Sequence, residues 1–98
     1  MAFRLSLAAR QDIVDIYLHS ENAFGEAQAD RYLADLESTF AFLADHPFAA
    51  RQRVELTPPV RIHPYRAHVI VYRLDGDDIL ILRLRHGRED WHPSPAGS

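Results

Sequence analysis

The chain changes its hydrophobic period once, at Pro47, and that change bounds what it can fold into. Ahead of Pro47 apolar residues recur every three or four positions; beyond it they alternate or run together. Ala9, Ile13, Ile16 and Tyr17 share one helical face, with Asp12 and Asp15 assigned to the other side. Ala29, Tyr32, Leu33, Leu36, Phe40 and Leu43 form a second apolar face at the same rhythm. The spacing predicts helices over 8–22 and 26–44, with Tyr17 and Tyr32 in the core between them. Ser6 offers an N-cap hydroxyl to the first helix. Gly25 supplies a left-handed cap or a tight turn between the two. Pro47 ends the second helix and drives His46 out of helical geometry. Amphipathic helices joined by so short a link pack as an antiparallel hairpin.

The rest of the chain reads as strands. Phe3-Arg4-Leu5 alternates and forms a short first strand. Arg51 to Leu56 is polar with apolar teeth at Val54 and Leu56, and Pro58-Pro59 stops whatever forms there. Strands are expected over 60–63, 67–74 and 79–85, the last two joined by the turn Asp75-Gly76-Asp77-Asp78. Ile79 to Leu84 is almost continuously apolar, which assigns it to the sheet centre. The order is β-α-α-β-β-β, an α+β fold with a helical hairpin across one face of a small antiparallel sheet. Residues 1–92 are expected to form a single domain and residues 93–98, Pro-Ser-Pro-Ala-Gly-Ser, a poorly ordered tail.

Composition excludes several functions. The 98 residues contain no cysteine, so neither a disulfide framework nor a thiol nucleophile is available. No apolar run approaches the roughly 18 residues a membrane span needs, and no secretory leader is visible, so a cytoplasmic location is expected. Net charge is −3, which argues against a protein built chiefly to neutralise phosphates. The charge is uneven: three Arg against eight acids in the first fifty residues, eight Arg against six acids in the remainder. Lys is absent. A GC-rich genome explains that simply; the sharper reading is that some guanidinium groups serve as planar, bidentate binders that Lys cannot replace.

Taken in order, several segments resemble the ParE toxins of the RelE/ParE superfamily. They are Leu5-Ser6, Ala8-Ala9, Asp12-Ile13 and Ile16-Tyr17; then Phe24-Gly25, Ala29, Tyr32-Leu33 and Leu36; then Arg51 to Arg61. The nearest are His68-Val69-Ile70-Val71-Tyr72-Arg73 and Ile79 to His86, ending Gly87-Arg88-Glu89-Asp90. The resemblance covers about residues 3 to 90. It implies the same β-α-α-β-β-β fold, and a toxin of a type II toxin–antitoxin system. The implied partner is a ribbon-helix-helix, ParD-like antitoxin, through which alone the toxin meets DNA. The implied target is DNA gyrase for the ParE branch. For the RelE branch it is mRNA on the ribosome. A non-toxic relative that only buffers an antitoxin is the other alternative.

The residues themselves weigh on that choice. Ribonucleolytic cleavage needs an acid–base pair and cations on the phosphate. Arg83, His86, Arg88 and His92 are the candidates, yet Lys is missing and Trp91 fills the terminal aromatic position without a titratable proton. The expectation is therefore binding without catalytic residues. His63 and His68 are five apart and His86 and His92 six, neither a helical ligand spacing, so no metal and no cofactor are expected. Arg83 interrupts an apolar strand, as half of an ion pair or as a contact residue. Arg83, His86, Arg88 and Trp91 are the expected target-facing residues, because arginine and tryptophan dominate binding hot spots. Phe48, Val54 and Leu56 lie outside the helix faces and the central strands, and are the expected antitoxin contacts.

Overall fold

The computed structural model describes residues 2–53 and 59–86. Val54, Leu56, Arg88, Trp91, His92 and the tail at 93–98 lie outside the described residues. The chain runs β1 (Phe3–Leu5), α1 (Leu7–Phe24), α2 (Glu26–Asp45), β2 (Gln52–Arg53), β3 (Val60–Tyr65), β4 (His68–Asp75) and β5 (Asp78–His86). The strands form one sheet in the order β1-β5-β4-β3-β2. The helical hairpin and the three long strands fall where the hydrophobic period places them, to within a few residues.

Local chemistry sets the helix ends. The Ser6 hydroxyl accepts the Ala9 amide at 3.0 Å, satisfying one of the orphan donors of the first turn of α1. Gly25 is the single residue between the helices; its φ of 91° is a backbone state that any side chain would strain, and its amide donates to the Glu21 carbonyl at 2.9 Å. The hairpin is pinned across that turn by Tyr17, whose hydroxyl donates to Asp30 Oδ1 at 2.7 Å. The hydrogen bond to that carboxylate pushes the Tyr17 phenol up to about 12.

One face of the sheet packs against the helices. Ala9, Leu36, Phe40, Leu43 and Ala44 from the helices meet Ile70, Tyr72, Ile79, Ile81 and Leu84 from β4 and β5. Tyr72 is wholly buried, and its hydroxyl donates to the Pro47 carbonyl at 2.9 Å. A buried phenol needs such a partner. Here the partner is the residue at which the hydrophobic period changes, so the bond ties the end of the hairpin to the sheet.

The sheet corrects the sequence expectation in three places. It is not purely antiparallel, because β1 pairs with β5 in parallel, Phe3 opposite Ile79 and Leu5 opposite Ile81. β4, not Ile79 to Leu84, is central: β5 pairs along its whole length and β3 from His68 to Tyr72, whereas among the described residues β5 has only three-residue β1 on its outer side. The near-continuous apolar run of β5 has another cause. Tyr72 pairs with Ile81 but Val71 pairs with Arg83, so Leu82 is an extra, bulged residue. The bulge shifts the phase of the strand, and the buried positions become Ile79, Ile81 and Leu84. Third, Gln52–Arg53 adds a short outer strand to β3 within the stretch Arg51 to Leu56, which was read as polar with apolar teeth and was not counted among the strands.

Both hairpin loops have two residues. Asp75 pairs with Asp78 around Gly76, whose φ is 66° while Asp77 stays negative, the pattern of a type II′ turn. Tyr65 pairs with His68 around Arg66, whose φ of 54° is uncommon for a side-chain-bearing residue. Three contacts compensate: an ion pair from Arg66 to Asp35 at 2.6 Å, and its guanidinium over the rings of Tyr32 and Tyr65 at 5.6 and 5.5 Å.

Candidate functional site

The expected target-facing residues begin at the end of β5. There the outer edge of the strand runs past its partner, since β1 ends at Leu5 opposite Ile81. The start of α1 finishes that edge with polar groups in place of a strand. The Ser6 amide donates to the Ile81 carbonyl at 3.0 Å and the Ser6 hydroxyl donates to the Leu82 carbonyl at 2.8 Å. The Leu84 amide donates to Asp12 Oδ2 at 2.9 Å. Asp12 also receives Arg83, from Nε to Oδ2 at 2.8 Å and from Nη2 to Oδ1 at 3.0 Å.

Asp12 is therefore not on the solvent side of α1, as its place in the helical pattern suggested. It borders the apolar face, four residues before Ile16, and its side chain is 12% exposed. Burial alone would raise its pKa. The Arg83 hydrogen bonds, the Leu84 amide and the charges of Arg83 and Arg85 outweigh burial and hold the carboxyl below the ordinary 3.8. Of the two roles open to Arg83, the structure displays the ion pair. A sequence signal existed: a charge inside an apolar strand calls for an opposite charge on the rim of an apolar helix face. Nothing in the sequence said which acid, 71 residues away, would supply it.

His86 lies opposite His68 across β4 and β5, with ring centroids 5.6 Å apart. The structure thus brings together His68 and His86, and not His63 and His68. His68 Nδ1 is 2.9 Å from the Tyr32 hydroxyl. Tyr32 accordingly leaves the interhelix core and reaches the sheet. Burial and the neighbouring Tyr65 push its phenol up, with Arg66 opposing, so at neutral pH it is a protonated hydrogen-bonding group rather than a base. Tyr32, His68 and His86 wall a groove of about 570 Å³, also lined by Ile16, His19 and Phe24. Among the described residues no group of three His, Cys, Asp or Glu is placed to hold a metal ion.

Phe48, the described member of the expected antitoxin contacts, lies on the opposite margin of the sheet. It is 69% exposed, with the Arg61 guanidinium 4.8 Å from its ring centre. Arg61 is held from below, donating from Nη1 to the Ala50 carbonyl at 2.7 Å. Phe42 is half-exposed nearby and stacks against His46 at 4.9 Å and His63 at 6.4 Å. Sequence reasoning missed Phe42, although a signal existed: it is a bulky apolar residue of α2 that falls off the face formed by Ala29, Tyr32, Leu33, Leu36, Phe40 and Leu43.

The molecule is thus a two-helix hairpin on a five-stranded mixed sheet, with an apolar margin at one side and an arginine-bearing strand end at the other. The family model "ParE toxin of type II toxin-antitoxin system, parDE" matches residues 3–91. The chain belongs to the ParE toxin family, and is the toxin component of a type II toxin–antitoxin system whose partner is an antitoxin. It is 33% identical over 84 residues to Toxin ParE1 of Caulobacter vibrioides, 86% of each chain. It is 36% identical over 64 residues to Toxin ParE3 of the same organism, 65% of this chain and 64% of that one. It is 28% identical over 89 residues to Toxin ParE1 of Mycobacterium tuberculosis, 90% of this chain and 91% of that one. The fold is similar to that of a chain from the chromosomal ParDE toxin–antitoxin system of P. aeruginosa, with TM-score 0.75 and 23% identity over 88% of this chain and 95% of that one. No described helix is long and apolar enough to cross a membrane.

Proposed function

We propose that this toxin arrests growth by binding DNA gyrase, without cleaving RNA, and that a ribbon-helix-helix antitoxin of the ParD kind neutralises it. The cytoplasm, where gyrase acts, is then its place of action. Residues 1–92 act as one toxin domain. The observation that carries the reading is the engagement of Arg83. An endoribonuclease would aim that cation at a scissile phosphate, but here a carboxylate takes the guanidinium edge formed by Nε and Nη2. With membership of the ParE family, this favours recognition over catalysis. The target surface is the segment from Arg83 to Trp91, including His86 and Arg88, where the basic half of the chain ends beside an indole. The antitoxin tail meets Phe48, Val54 and Leu56; Phe48 lies exposed at the other margin, with Phe42 nearby.

Purified toxin tests this in two parallel assays, gyrase supercoiling and a translating-ribosome reaction. The expected result is inhibited supercoiling with intact mRNA, relieved by antitoxin. Codon-positioned mRNA cleavage with unaffected supercoiling would replace gyrase by the ribosome. Arg88→Ala then locates the surface: growth arrest falls while melting temperature and antitoxin affinity hold. Unchanged growth arrest in Arg83→Ala, Arg88→Ala and Trp91→Ala, each made separately, would remove this segment from the target interface.

A further inference from the structure

Helix α1 is apolar on two sides. Ala9 lies in the core and Ile16 packs against it. Leu7, Val14 and Leu18 turn the other way, and are 83%, 48% and 49% exposed. With exposed Gln11 they follow one another at intervals of four, three and four residues. At about 100° per residue the four fall within an arc of about 60°, opposite Ala9 and Ile16. A single exposed aliphatic residue needs no explanation. Three on one such line form the seam by which a helix packs along another helix, and one polar residue in the line is a device that fixes pairing.

We infer that this seam is a self-association surface, through which the toxin pairs with a second copy of itself. The charges beside it favour that occupant. Arg10 and Tyr17, seven residues apart, flank the seam on one side, and Asp15 flanks it on the other. Arg10 is exposed and has no ion-pair partner among the described residues. Next to Tyr17 stands the exposed carboxylate of Asp30, which shares a groove of about 360 Å³ with Val14 and Leu18.

Two copies of α1 can meet in either direction, and each direction is complementary. Run antiparallel, Leu7 lies opposite Leu18 of the second copy and Gln11 opposite Val14. The same layers then recur in reverse, as a twofold interface requires. Like flanks come together, so Arg10 reaches Tyr17 and Asp30 of the second copy. The two Asp15 carboxylates stand about 7.5 Å out of step along the axis. Run parallel, each seam residue meets its own equivalent, and Arg10 faces Asp15 of the second copy. Either way the lone cation of the seam gains an acid. Four layers make an interface smaller than a standard one, so a dissociation constant in the range of about 1–100 µM is expected. Neither Phe48 nor Arg83 lies on the seam, so a paired toxin keeps both its proposed surfaces, and the inference does not depend on the target.

Sedimentation of the full-length toxin over a concentration series tests it. Wild type should pass from monomer to dimer. Leu18→Glu should weaken the dimer by about tenfold or more, and Arg10→Glu by about threefold, with the melting temperature of the dilute protein unchanged. The chain has no native cysteine, so introduced thiols report on the seam directly. Under mild oxidation Leu7→Cys should cross-link to itself in a parallel pair, or to Leu18→Cys in an antiparallel one, where the two Leu7 positions are about 16 Å apart. The exposed Ser38→Cys on α2 should cross-link in neither. A toxin that stays monomeric at about 100 µM would overturn the inference. A dimer indifferent to Leu18→Glu, or the absence of both seam cross-links, would do the same. So would a loss of antitoxin affinity of more than about tenfold in Leu18→Glu, since the antitoxin would then be what covers the stripe.

Discussion

The two margins of the sheet are finished by opposite means. At the β5 margin, α1 supplies a hydroxyl and a carboxylate, and the strand end is tied by directional bonds of 2.8–3.0 Å. At the β2 margin a two-residue strand covers β3, and the residues leading to it expose aromatic rings, Phe48 at 69% and Phe42 at 48%. Both edges face the same hazard, unwanted pairing with another chain. One is closed by polar groups that admit a single geometry. The other is covered briefly and left apolar, a surface that gains by being covered. In the proposed function, the precise margin serves recognition of a fixed target and the adhesive one serves an antitoxin tail that wraps and orders on contact.

The largest expected effect is at the precise margin. Asp12→Ala removes three hydrogen-bond acceptances together and leaves Arg83 without its carboxylate. Arg83 is 39% exposed, so water recovers part of the loss, and a destabilisation of about 2 kcal/mol is expected by urea denaturation. At the β2 margin, Arg61→Ala should cost less, about 1 kcal/mol, because it removes one bond to the Ala50 carbonyl and one ring contact. A larger loss for Arg61→Ala than for Asp12→Ala would invert the contrast between the margins. Phe48→Ala should change stability by no more than about 0.5 kcal/mol, as suits an exposed ring, while weakening the antitoxin complex by about tenfold in calorimetric titration. Unchanged antitoxin affinity would strip the β2 margin of its proposed role.

What could be read in advance follows the range of the interactions. Helices α1 and α2, the Ser6 cap, the Gly25 turn and the Gly76 hairpin depend on residues within a turn of one another, and their periodicity announces them. The mixed character of the sheet depends on Phe3 finding Ile79, and a three-residue strand carries no sign of its direction. The Leu82 bulge looked like an uninterrupted apolar strand, because the displaced residue is itself apolar. Arg66 gave no signal of a left-handed turn, since Gly, Asn or Asp would be expected there and its compensating contacts come from α2 and β3. In the candidate site, Arg83 stood out as a charge in an apolar run and Phe48 as an apolar residue between elements. Asp12 did not, since in a regular helix only the tertiary partner separates a working side chain from a solvated one. Phe42 carried a signal of its own, a bulky apolar residue off the apolar face of α2.

The smallest expected effect separates the margins by pH. His63 sits on β3 near Phe42, and burial holds its imidazole below the ordinary 6.5. The unfolded chain therefore takes up a proton at His63 before the folded one does. The stability tied to a neutral His63 is complete above 6.5 and declines as pH falls from 6.5 through the lowered folded value. Asp12 behaves differently. Its contribution is complete above 3.8 and is lost only as pH falls below 3.8 through its own depressed value. Urea midpoints from pH 7.5 downward should show this as two difference curves. The gap between wild type and His63→Gln should shift between pH 7 and 5, about the ordinary imidazole pKa, in the sense that acid favours the glutamine variant. The gap between wild type and Asp12→Asn should stay level through that range and close only at lower pH, near the ordinary carboxylate pKa. A level His63→Gln curve would mean that His63 titrates alike in the folded and unfolded chain. An Asp12→Asn difference that moves in favour of wild type as pH falls from 7 toward the ordinary carboxylate pKa would mean that folding takes up a proton at Asp12, so that the carboxyl is raised by burial instead of lowered by Arg83, and the β5 margin would lose the pairing that distinguishes it.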